Sequence, residues 1–167
     1  MNSMKKQWVK HADFNYSLWV QDKEIGRMDI HFNTVASEAI CTIDGKILQI
    51  KRTGFWKSGL EIADSNNNIV LKAYPENWYA NTSIIEVENK TYKLIIRNNP
   101  LAEFAITENG KNVIAYGLDI ENGRVKLRIT KSGNDIPIFD FLLWYLFLPI
   151  ANENSGDSYS FIVSPAV

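Results

Sequence analysis

Fifteen consecutive residues, Ile136 to Ile150, read IPIFDFLLWYLFLPI and carry a single side chain charged at neutral pH, Asp140. Asp135 stands ahead of them as a candidate cap, Pro137 lies in the first turn and Pro149 closes the run, so the pattern predicts a helix over 136–150. A helix that is apolar on every side has to be enclosed, by protein or by lipid. At ~1.5 Å per residue it spans roughly 22 Å, short of the ~30 Å hydrocarbon layer of a bilayer. Asp140 adds a further cost in lipid. The remainder of the chain must therefore supply the enclosure.

That remainder reads as strands. Short runs of alternating apolar residues cover 15–20, 25–32, 38–43, 46–52, 58–63, 69–74, 82–88, 91–97, 101–107, 112–120 and 124–130. Between them stand Asp22-Lys23, Asp44-Gly45, Asn66-Asn67-Asn68, Asn89-Lys90, Asn109-Gly110 and Asn122-Gly123, residues that tolerate the positive φ of tight hairpins. None of the connections leaves room for a crossover helix, so the sheet is expected to be an antiparallel meander.

Several registers follow from the turns. A two-residue Asn122-Gly123 turn opposes Ile120 to Val125, Asp119 to Lys126, Leu118 to Leu127 and Tyr116 to Ile129, which separates apolar from charged pairs. Asp44-Gly45 sets Cys41 opposite Leu48. Asn89-Lys90 sets Val87 opposite Tyr92 and Ile85 opposite Leu94. At Asn109-Gly110 a two-residue turn would put Phe104 opposite Ala115. A three-residue Glu108–Gly110 loop with a bulge instead opposes Phe104 to Ile114.

The resulting sheet is apolar on one face and needs that face covered. The expected fold class is mainly β: about twelve antiparallel strands closed into a barrel around the hydrophobic helix 136–150. Residues 1–14 are expected as a lead-in and 15–167 as a single domain. Tyr159–Val163 (YSFIV) is a candidate twelfth strand.

This arrangement resembles the family of tubby-like C-terminal domains, plant LURP-one-related proteins and phospholipid scramblases. The resemblance is carried by the meander from about Asn15 to Thr130, including ICTIDGKILQIKRTGFWKSGLEIAD (40–64), and by the apolar helix. It implies a twelve-strand barrel around a central helix and, by analogy with tubby-like domains, binding of anionic phospholipid headgroups through basic side chains. It implies no catalytic residue. The chain departs from scramblases in lacking a cysteine-rich run.

Charge and composition narrow the function classes. With 167 residues, 46% hydrophobic and 22% charged, the chain suits one domain with a real core. Eighteen Lys and Arg against nineteen Asp and Glu leave a net charge of -1, which argues against nucleic-acid binding. One cysteine excludes an intrachain disulfide and a cysteine-based zinc site. No apolar run follows Lys5, Lys6 and Lys10, so no secretory leader is expected. The expected location is cytoplasmic, extending to the membrane periphery, with no cofactor, no metal and no transmembrane segment.

Two basic features are candidate ligand sites. Lys51, Arg52, Phe55, Trp56 and Lys57 form a basic and aromatic hairpin tip, with Lys46 nearby, suited to an anionic headgroup. Arg124, Lys126 and Arg128 share one strand face. Glu121 and Asp119 oppose the first two, which leaves Arg128, opposite Gly117, as the free cation. His11 and His31 are expected as surface histidines and Cys41 as a buried packing residue. Asp140 is expected at the barrel rim, favouring the helix N-terminus.

The expectation is thus a non-enzymatic barrel that binds anionic phospholipid or a membrane-associated protein partner. The alternative is a lipocalin-like small-molecule carrier with an open interior. That alternative requires 136–150 to pack outside the barrel.

Overall fold

A computed structural model of the protein describes residues 5–32, 37–54, 58–98, 101–132, 135–155 and 164–165. Twelve antiparallel strands follow one another in space as they do in sequence. They are β1 (Lys6–Ala12), β2 (Asn15–Val20), β3 (Lys23–Phe32), β4 (Ser37–Ile43), β5 (Lys46–Thr53), β6 (Gly59–Asp64), β7 (Ile69–Pro75), β8 (Thr82–Val87), β9 (Lys90–Asn98), β10 (Ala102–Glu108), β11 (Lys111–Glu121) and β12 (Arg124–Lys131). They curl into a nearly closed barrel. Helix α1 (Pro137–Ser155) follows β12, and a two-residue strand, β13 (Ser164–Pro165), pairs in parallel with β1.

The alternation of the strands dictates the interior. Inward positions such as Leu18, Met28, Cys41, Ile50, Ile62, Leu71, Ile85, Leu94, Phe104 and Tyr116 are buried. The same is true of Phe139, Phe141, Leu142, Leu143, Trp144, Tyr145, Phe147 and Leu148, which point from α1 in every direction. Their partners come from separated parts of the wall: Trp8 and Tyr16 against Trp144, Tyr92 against Phe139, Phe104 against Phe147. The helix therefore fills the barrel. Gly26 lets β3 approach it: a Cβ there would strike the Thr42 carbonyl oxygen and come within 2.9 Å of Phe141 Cζ.

The eleven expected strands are all present, and the twelfth comes from the other end of the chain. Residues expected as a lead-in form β1; the sequence conceals this strand because Lys6, on the inward face with Trp8, breaks the apolar alternation by which a strand is recognised. Tyr159–Val163 lies outside the described residues. Pro149 lies inside α1 rather than at its end, and the helix continues to Ser155. A proline loses its own amide donor and crowds the carbonyl four residues earlier, but later amides can still continue the ladder.

The registers at Asn122-Gly123 and Asp44-Gly45 are those expected. Two others differ. The β8–β9 turn is Glu88-Asn89, both at positive φ, and sets Val87 opposite Lys90 and Ile85 opposite Tyr92. The expected register was displaced by two residues, a shift that keeps every side chain on its face and so leaves no mark on the alternation. At Asn109-Gly110 the turn has two residues, and the irregularity lies within β11. Ile106 faces Ile114 and Thr107 faces Asn112, leaving Val113 as the extra residue, so Phe104 meets Tyr116 instead of Ile114.

In a meander, successive turns fall at alternate ends of the barrel. One rim carries the turns at 21–22, 44–45, 65–68, 88–89 and 109–110, together with the start of α1. The opposite rim carries the connections at 13–14, 76–81 and 122–123 and the β5–β6 tip. We call these the first and second rims.

Candidate functional site

On the second rim the β7–β8 connection exposes two adjacent aromatic side chains. Trp78 is 93% exposed and Tyr79 is 73% exposed, their rings meeting edge to face at 5.3 Å. The local sequence, Pro75-Glu-Asn-Trp-Tyr-Ala-Asn81, explains this. Pro75 ends β7, and Asn77 and Asn81 are turn formers. The loop base is braced: Glu76 N–H donates to the Thr82 carbonyl at 3.0 Å, Ile96 N–H donates to the Asn81 carbonyl at 2.9 Å, and Lys93 Nζ holds the Glu76 carboxylate at 2.9 Å. Burying an aromatic of this size is worth about 1.5–3 kcal/mol, so an exposed contiguous pair on a braced loop is informative where a scattered leucine is not.

The β5–β6 hairpin neighbours this loop, since β6 pairs with β7. Its two described basic residues point apart. Lys51 lies on the outer face, in register between Glu38 and Glu61. Arg52 lies on the inner side, half-buried, with its guanidinium carbon 5.4 Å from the ring centroid of Tyr145 on α1. Successive strand residues face opposite sides, so these two cannot form one cluster by themselves. Phe55, Trp56 and Lys57 lie outside the described residues.

Arg128 is not the free cation that its position opposite Gly117 suggested. With no side chain at Gly117, the guanidinium crosses over that residue, where an added Cβ would lie 2.7 Å from a terminal nitrogen. It reaches Glu103 at 3.1 Å and Asp119 at 3.2 Å, and Glu103 also binds Arg97 at 2.9 Å. Lys126 pairs with Glu121 at 2.6 Å. The basic face of β12 is engaged in intramolecular pairing.

Asp140 is not solvated. It lies in the first turn of α1, at the first rim as expected, but is completely buried and paired inside the barrel. Lys6 Nζ, on a side chain 2% exposed, sits 2.6 Å from Asp140 and 2.6 Å from Asp135. Asp135, expected to cap the helix, thus holds Lys6. Tyr116 OH donates to the other Asp140 oxygen at 2.7 Å, and Trp8 Nε1 donates to Tyr116 OH at 2.8 Å. Burial raises the Asp140 carboxyl pKa, while Lys6 and Tyr116 act to lower it. Burial, followed by the neighbouring Asp140 charge, pushes the Tyr116 hydroxyl well up. No sequence pattern links Lys6 to Asp140, 134 residues away.

His11 and Ser17 also come together, with Nε2 2.6 Å from Oγ. Ser17 is buried, and Trp19 Nε1 donates to the same oxygen at 2.8 Å, so the hydroxyl is a packed acceptor and not an approachable nucleophile. His31 is exposed. Among the described residues there is no group of three or more His, Cys, Asp or Glu side chains that could hold a metal ion.

Cys41 is buried, and desolvation pushes its thiol far above the usual range. Native protein at pH 8 is expected to leave a disulfide thiol reagent unreacted, with one thiol per chain appearing on addition of guanidinium. Rapid stoichiometric labelling of the native protein would contradict this burial.

At the first rim, a cleft of about 910 Å³ opens between α1 and the β4–β9 wall. Leu48, Leu71 and Val87 form part of its floor, with Ile136 and Ile138 on the helix side. Lys46, Lys72 and Lys90 are balanced by Asp44, Glu86 and Glu88, so the charges around it select no ligand sign. The deep interior that a lipocalin-like carrier keeps for its ligand is occupied by α1.

Among the described residues no helix is long and apolar enough to cross a membrane. No protein-family model, curated protein or solved structure matches the chain.

Proposed function

We propose that this is a non-enzymatic, tubby-like barrel that docks its second rim on anionic phospholipid headgroups at the cytoplasmic membrane surface. The observation that carries the reading is the braced loop presenting Trp78 and Tyr79 beside the basic β5–β6 hairpin. Trp and Tyr favour the headgroup depth, where an apolar ring and a polar edge are both satisfied. Near an anionic leaflet each lysine or arginine adds about 1 kcal/mol, and salt screens that contribution. Lys51, on the outer face, is the described candidate, Arg52 being turned inward over Tyr145, and the sequence places Phe55, Trp56 and Lys57 on the same tip. Arg128 drops out of this set, because its guanidinium already holds Glu103 and Asp119.

Flotation with neutral and anionic liposomes, at low and physiological salt, tests the reading. The wild type should float with anionic vesicles and less so as salt rises. Trp78→Ser/Tyr79→Ser should weaken flotation by about tenfold or more, the loss of two interfacial aromatics. Lys51→Glu/Lys57→Glu should abolish the preference for anionic over neutral vesicles. If the folded wild type floats with neither vesicle, lipid binding is wrong, and the aromatic loop is left to a protein partner.

A further inference from the structure

The barrel closes differently along one seam than elsewhere. The sheet order begins at β12 and ends with β1 and β13, and among the described residues β12 and β1 share no ladder. What spans this gap is side-chain chemistry. Lys6 of β1 reaches Asp135 and Asp140, while Trp8 of β1 reaches past β12 to Tyr116 of β11. Trp8 also stacks on Trp144 at 5.1 Å with planes 12° apart and meets the edge of Phe141 at 5.1 Å.

The strand is lightly held otherwise. Trp8 is its only buried apolar residue, against Ala102, Phe104, Ala105 and Ile106 in β10, a strand of the same length; β12, on the other side of the seam, has none. Segments with few buried apolar contacts open first. The ion pair makes such opening cheaper still. Burying Lys6 and Asp140 costs each its hydration, a cost only partly offset by their attraction. When β1 lifts away, both groups regain water together and neither is left as an isolated buried charge.

We propose that β1 is a releasable strap. It closes the barrel seam over α1 through the Lys6–Asp140 pair and the Trp8–Trp144 stack, and it opens as a unit while the better-buried strands of the wall, β8–β11 among them, keep their fold. Opening uncovers the helix face formed by Phe141 and Trp144, against which Trp8 packs. Tyr116 and Asp135 are the other titratable groups that share this polar cluster.

Hydrogen exchange on the full-length chain, read by mass spectrometry, tests this. Peptides covering β1 should exchange about 100-fold faster than those covering β8–β11, as expected of sub-global opening. Lys6→Met/Asp140→Leu replaces the charges by apolar groups of similar size. It should slow exchange in β1 by about tenfold or more, because the hydration regained on opening is gone. Lys6→Arg, which keeps the charge, should exchange like the wild type. Exchange of β1 in step with β8–β11 in the wild type would overturn the proposal, making β1 part of one cooperative unit. So would an unchanged or faster β1 rate in the double variant, because the pair would then not govern release.

Discussion

Asp140→Leu is expected to lower the free energy of unfolding by about 3–5 kcal/mol, the usual cost of removing one partner of a buried ion pair. The loss comes less from the missing carboxylate than from what it leaves behind. Lys6, 2% exposed in the folded protein, would keep only Asp135, and Tyr116 OH would lose its acceptor. Lys6→Met/Asp140→Leu should recover the part of that loss due to the stranded Lys6, because apolar replacement of a whole buried pair is often neutral or stabilising, while the cost at the Tyr116 hydroxyl remains. Urea denaturation of the wild type, both single variants and the double variant measures the coupling directly. A single Asp140→Leu variant as stable as the wild type would mean that the carboxylate is solvated and not paired inside the barrel.

Trp144→Ala should cost a similar amount, about 3–5 kcal/mol, for a different reason. Trp144 lies at the centre of the barrel, stacked on Trp8 and meeting Tyr16 edge to face at 5.2 Å. The surrounding wall is a hydrogen-bonded sheet and can collapse only partly into the space vacated. Trp144→Phe should be much milder. It retains an aromatic against Trp8 and removes an indole N–H that is buried without a hydrogen-bond partner among the described residues. Equilibrium denaturation gives the magnitudes, and near-ultraviolet circular dichroism should report loss of the stacked pair in both variants. A cost below about 1 kcal/mol for the alanine variant would mean that α1 is not the element around which the barrel is packed.

These two sites differ in how visible they are along the chain. Trp144 belongs to a run so uniformly apolar that burial was its only outcome, and the surrounding hairpins announced themselves by alternation and turn chemistry. Where alternation and turn residues agree, as across Asn122-Gly123, the register follows to the residue. Where they leave a two-residue ambiguity, as around Glu88-Asn89, both registers bury the same face and local pattern cannot choose. The bulge in β11 has the same origin: the need for an extra residue shows in the parity of Phe104 and Tyr116, but its position does not.

The candidate site was less legible. The basic β5–β6 tip stands out in one dimension, yet strand geometry sends Lys51 and Arg52 to opposite sides. Arg128 looks free until the missing side chain at Gly117 opens a path to Glu103, two strands away. Trp78 and Tyr79 could have been noticed from an aromatic pair set among Pro75, Asn77 and Asn81, where no alternation gives either ring a core to enter.

An antiparallel meander around an apolar helix is encoded locally, because period, turn chemistry and the need to enclose IPIFDFLLWYLFLPI each act over a few residues. The first strand is not. Lys6 on an inward position argues against a strand until Asp140, 134 residues later, supplies the opposite charge. Only the folded barrel brings that pair within 2.6 Å. The energy of a buried charge depends on its partner in space, and no local pattern names that partner.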